Sequence, residues 1–247
     1  MLAVATNVTG ERQNPPDGDG AGLDSVLHAL RALCPSVSAP SCCTWVCSAV
    51  VGYVRRRRRG APGGLAGAGP DLDGSVLEFP DLEFPDLEFE AVLVRRLAHR
   101  YLKVVADARA GRAVPRAWQL LFDPPPVSPT RLALAGVGTL LDYDLTVALV
   151  GACTVLGRAP SSKERDAHGR VATVLGTCIR ELVRRGGDPT EVAAAARLDS
   201  AATRDTAWQR AERMWTLRGR PVEAEAERDA LDRTVHADAA RLLRSAP

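Results

Sequence analysis

Apolar positions in this chain recur mostly at helical spacing, and Val/Ile/Tyr/Phe-rich runs that alternate with polar residues are absent. Leu23, Val26, Leu27, Leu30 and Leu33 follow three- and four-residue steps and predict a helix over 23–34. A second helix is predicted over 42–59, with an apolar body and a basic end. A third covers 86–110, and a short one covers 115–122 with Pro115 at its first turn. Ser128-Pro129 supplies an N-cap and a first-turn proline for a long apolar helix over 128–157. Ser161-x-x-Glu164 has the form of a capping box and opens a helix to 185, which Gly186-Gly187 ends. Asp188-Pro189-Thr190-Glu191 repeats that logic for a helix over 188–218, with Trp208, Ala211 and Trp215 on one face. Gly219 stops it, and Pro221 starts a final amphipathic helix to 244. The expected fold is all-α, a single-domain bundle of seven or eight helices around the long apolar one.

The stretches between these elements set the domain plan. Residues 1–21 are rich in Pro, Gly and Asp and are expected to form a disordered N-terminal arm, leaving 22–247 as the helical domain. Within it, 60–85 reads as a flexible loop, Gly-rich over 60–70 and then repetitive. Val76-Leu77-Glu78-Phe79-Pro80, Asp81-Leu82-Glu83-Phe84-Pro85 and Asp86-Leu87-Glu88-Phe89-Glu90 share one five-residue unit. A period of five suits neither helix nor strand, and Pro80 and Pro85 block helix propagation. Each copy offers a Leu and a Phe to a core, with its acids expected to face solvent.

Composition narrows the class. Hydrophobic residues make up 46% of the 247 and aromatics only 4%, which favours helices rich in Ala, Leu and Arg over a β fold. A net charge of +2 leaves no nucleic-acid footprint, and basic residues interleaved with aromatics over one face are absent. Lys103 and Lys163 are the only lysines, the mark of a GC-rich coding bias. Residues 1–10 lack a basic start and an apolar core, so no secretory signal is read, Asn7-Val8-Thr9 carries no weight as a glycosylation acceptor, and a cytoplasmic location is the default. The six cysteines are then expected as reduced thiols, and the Cys42, Cys43, Cys47 spacing lacks the form of a metal site.

Candidate chemistry centres on the long apolar segment. Over 132–157 the only charges are Asp142 and Asp144, and an unpaired carboxylate inside an apolar helix is costly. Two residues apart on a helix they point to nearly opposite sides, so they cannot share a proton or chelate one metal. The segment is long enough to span a bilayer, but two central aspartates oppose insertion and membrane association is not expected. The arginines at 55–59 end an apolar run too short to span and read as a solvated helix end. His28, His99, His168 and His236 sit on four separate segments without a metal-binding pair. His99 and His168 lie on helices expected to flank the central one.

Several stretches resemble domain-of-unknown-function family 5995, an uncharacterised and largely actinobacterial group. The matching residues are Pro115-Arg116-Ala117-Trp118, Leu132-Ala133-Leu134-Ala135-Gly136, Asp144-Leu145 and Val147-Ala148-Leu149-Val150. The likeness continues through His99-Arg100-Tyr101-Leu102, Ala207-Trp208 and Trp215, spanning roughly 22–218. It implies an all-helical fold and carries no activity. The family pattern reads A-G-M-N-A-H-I-N-x-D-L, against Ala135-Gly136-Val137-Gly138-Thr139-Leu140-Leu141-Asp142-Tyr143-Asp144-Leu145 here. Gly138, Leu140 and Asp142 stand where the pattern has Asn, His and Asn, and of its polar residues only Asp144 is kept. The resemblance therefore implies a changed or abandoned site, as in a pseudoenzyme.

Two functions are expected from these residues. The first is a small-molecule enzyme or binder with an inter-helix pocket around Asp144 as acid/base or anchor, lined by Asp142, Tyr143, His99, Tyr101 and Trp118. No metal or cofactor is called for. The alternative is a non-catalytic interaction module that docks through the acidic repeat and the arginine run.

Overall fold

The structure, a computed structural model, describes residues 28, 46–52, 64–65, 77–78, 86–184 and 187–244. The expected N-terminal arm, most of the 23–34 helix, the arginine run and the first two repeat copies apart from 77–78 lie outside the described residues. Strand β1 (Gly64–Leu65) pairs antiparallel with β2 (Leu77–Glu78), Gly64 opposite Glu78 and Leu65 opposite Leu77. From residue 87 onward the described elements are all helical.

Helix α1 (Leu87–Arg109) starts where the repeat ends. Asp86 caps it by accepting the Phe89 N–H at 3.1 Å. The third repeat copy thus becomes a helix start, with Phe89 buried and Glu88 exposed as expected. Glu90 differs: it is fully buried and accepts from Arg170 at 2.9 and 2.5 Å. Its place on the inner face of the helix puts that acid inside.

Helix α2 (Arg116–Phe122) leads into the central helix, Pro129–Leu156. This begins as α3 (Pro129–Thr139), capped by Ser128 through the Arg131 N–H, and ends as α4 (Thr146–Leu156). Between them Leu140–Leu145 forms a π-helical turn, so the segment read as one uniform α-helix is interrupted at the aspartates. Gly157, at φ 63°, stops the helix in the left-handed conformation that costs glycine least.

Helices α5 (Ser162–Arg184), α6 (Pro189–Leu198), α7 (Ala201–Thr216) and α8 (Pro221–Arg244) complete the bundle. Asp188 and Glu191 form the expected capping box. The single helix expected over 188–218 is two, because Ser200 leaves the helical conformation and caps α7 through the Thr203 N–H.

The central helix touches α1, α2, α5, α6, α7 and α8. Its Leu134, Leu140, Leu145 and Leu149 are fully buried against Phe89, Leu93 and Leu97 of α1 and Val171, Leu175 and Ile179 of α5. The helical stretch at 46–52 joins the same core through Val46, Val50 and Val51. The central helix is long and apolar enough to cross a membrane by length and composition, and 61% of its most apolar window is buried inside the bundle.

Candidate functional site

The π turn presents its two aspartates to different surroundings. Asp144 faces α1 and α2 and is fully buried. One oxygen accepts the Arg100 Nε–H at 2.9 Å and the other accepts the Trp118 indole N–H at 2.8 Å. The Arg100 guanidinium also lies 5.3 Å from the centre of the Tyr143 ring, and the Tyr101 and Trp118 rings are 5.5 Å apart. Burial raises the Asp144 pKa, against the opposing pull of the Arg100 charge and the two hydrogen bonds.

Asp142 faces the other way, into a cavity of about 240 Å³ between the central helix, the α6–α7 junction and α8. Gly138, one helical turn earlier, lines the same cavity, and a Cβ there would meet a Leu198 methyl at 3.1 Å. Asp142 makes no side-chain hydrogen bond or ion pair with any described residue. Burial lifts its carboxyl to about 6, tempered by Arg210 and Arg197 and reinforced by Asp238. Arg197 and Arg210 line the cavity too, and neither guanidinium is ion-paired among the described residues. Asp238 pairs with Arg241 at 2.6 Å.

The expected site residues therefore divide. Asp144, Tyr101, Trp118 and Tyr143 cluster in the interior with Arg100. His99 is exposed on α1, and Asp142 alone of the set lines the cavity. Asp144 is not among the groups lining that cavity. Arg100 completes the Asp144 site unannounced, because a buried carboxylate calls for a cation but an arginine-rich chain offers many. Arg197, Ser200, Thr203 and Arg210 reach the cavity only because the helix over 188–218 breaks between them.

His168 is buried beside Trp208, their rings 6.0 Å apart, in a second cavity that Arg165 and Arg204 also line. Burial and those two arginines push its pKa down to about 4, so its ring is neutral at physiological pH. Cys47, Cys153 and Cys178 are buried, with the Cys153 and Cys178 thiols pushed up to about 11 and about 12 by burial. Among the described residues no group of three or more His, Cys, Asp or Glu side chains is placed to hold a metal ion.

The sequence pattern of a family of unknown function (DUF5995) matches residues 77–245, which takes in every helix from α1 to α8. The match begins later and ends later than the resemblance over 22–218. No curated protein and no solved structure matches the chain.

Proposed function

The chain belongs to the DUF5995 family, whose function is unknown, and we propose that it binds a small polar molecule in the cavity beside Asp142. One observation carries this reading: a half-buried carboxylate, unpartnered among the described residues, opens on a cavity. Leaving such a group without a partner costs stability, and a ligand that donates to it would recover that loss. A carboxyl titrating at about 6 is also suited to moving a proton near neutral pH, so Asp142 is the group to carry acid/base chemistry here.

Asp144 takes a different part in this proposal from the acid/base role expected of it. Both of its oxygens already accept hydrogen bonds, from Arg100 and Trp118. It holds the π turn against α1 and α2, and the turn presents Asp142 on the far side. Gly138 and Asp142, two positions where the central segment departs from the family pattern it resembles, both line the cavity. Their exchange would alter which molecule is bound while leaving the Asp144 anchor in place.

The test is the thermal unfolding midpoint with and without a metabolite extract, for the native protein and for Asp142→Asn. A rise in the native protein that disappears in the variant is expected. An extract that shifts neither protein, or both equally, overturns the reading.

A further inference from the structure

We infer that the molecule bound beside Asp142 is a small amino-acid-like zwitterion, with its cationic end on Asp142 and its anionic end on Arg197 and Arg210. This rests on the ligand-binding reading above and adds the chemical class. The cavity is rich in hydroxyls, yet each already donates within the protein. Thr139 donates to the Ala135 carbonyl at 3.0 Å and Thr206 to the Ala202 carbonyl at 2.8 Å. Ser200 donates to Thr203, and Thr203 in turn donates to the Arg197 carbonyl at 2.8 Å. A neutral polyol could draw donors from Arg197 and Arg210 alone and would leave their charges unanswered.

What the cavity leaves free is charge. The Asp142 carboxyl and the Arg197 and Arg210 guanidiniums are unpaired among the described residues, while Asp238 is engaged by Arg241. Elsewhere at the helix junctions arginines meet carboxylates: Arg131 with Asp188, Arg165 with Asp205, and Arg204 with Asp199. Charge of both signs left over in one cavity calls for a ligand that carries both signs. A lone amine would answer Asp142 and crowd the arginines; a lone carboxylate would do the reverse. Leu134, Leu198, Val235 and Leu242 supply an apolar wall for an aliphatic body between the charged ends. At about 240 Å³ the space suits a ligand of amino-acid size.

Four probes separate the terms: leucine and 4-aminobutyrate, which bracket short and long charge separations, against n-butylamine and butyrate, which carry one charge each. Calorimetric titration of the full chain should give at least one zwitterion a Kd about tenfold below either single-charge compound. Arg210 makes no ion pair among the described residues, so Arg210→Gln should fold normally. It should lower zwitterion affinity toward that of n-butylamine, with Arg197 retaining part of the anionic contact, and Asp142→Asn should lower it to that of butyrate. Equal binding of n-butylamine and the zwitterions by the native protein overturns the zwitterion class, while the pocket survives. If no probe binds but the metabolite extract still shifts the native protein alone, the class also falls and the pocket again stands. Failure of the extract as well removes the pocket itself.

Discussion

Replacing Asp144 by asparagine keeps the shape of the side chain but turns one acceptor oxygen into a donor, so Arg100 or Trp118 loses its partner. Arg100 keeps some access to water, so the loss is that of a charge-assisted hydrogen bond rather than of a sealed ion pair. Chemical denaturation should show a loss of about 1.5–3 kcal/mol. Asparagine at 142 should act in the opposite direction. The folded-state pKa of Asp142 is raised from 3.8 to about 6, so the native protein holds this proton more tightly than the unfolded chain. Its contribution is most favourable below pH 3.8 and is lost as pH rises through about 6. Asp142→Asn should therefore match the native protein near pH 4 and exceed it above pH 6, by up to about 3 kcal/mol. Denaturation series across pH 4–7 for both proteins isolate this group, since the other carboxyls cancel in the difference. A gap that shrinks as pH rises would refute the assignment.

At the scale of elements, the ends of helices depend on residues far away in sequence. Asp232 of α8 accepts the Arg116 and Ala117 N–H groups at 3.0 and 3.2 Å, capping α2, which has no side-chain cap of its own. Asp232→Ala should cost about 1 kcal/mol, and the first-turn amides of α2 should exchange with solvent faster. The α6–α7 break is held from α5. The Asp199 carboxylate sits where a Cβ on Gly176 would go, and it pairs with Arg180 and Arg204. Gly176→Ala improves helix propensity by about 1 kcal/mol in isolation. In the bundle it should destabilise instead, because the new methyl displaces Asp199. In an Asp199→Ala background the same change should become neutral or stabilising, and a double-mutant cycle measures the difference.

Across the whole molecule, the family match starts at 77 while the core does not. Val46, Val50 and Val51 are buried in the main core, so a chain beginning at 77 leaves part of that core uncovered. Such a chain should bind a hydrophobic dye that the full chain ignores, and it should unfold at a lower temperature. Equal dye binding would show that 46–52 is dispensable. The central helix owes its apolar character to position. Six helices surround it, and residues that elsewhere would face solvent face protein here.

The sequence by itself determined the helices and most of their ends. Apolar spacing, Ser128-Pro129, the Asp188–Glu191 box and Gly157 are local signals, and each acts through its own backbone within a turn. It also placed two aspartates in the most apolar helix and set them on different sides. Only the tertiary structure decided what each aspartate meets. Arg100 and Trp118 close on Asp144 from α1 and α2, whereas Asp142 is left facing a cavity built from the α6–α7 break and α8. The π turn is illegible because no local propensity specifies it, whereas the α6–α7 break has a local signal in the Ser200 cap, masked by helical spacing that continues on both sides of it. Bonds from other helices then meet both places, Arg100 and Trp118 on Asp144 in the π turn and Arg180 on Asp199 at the break.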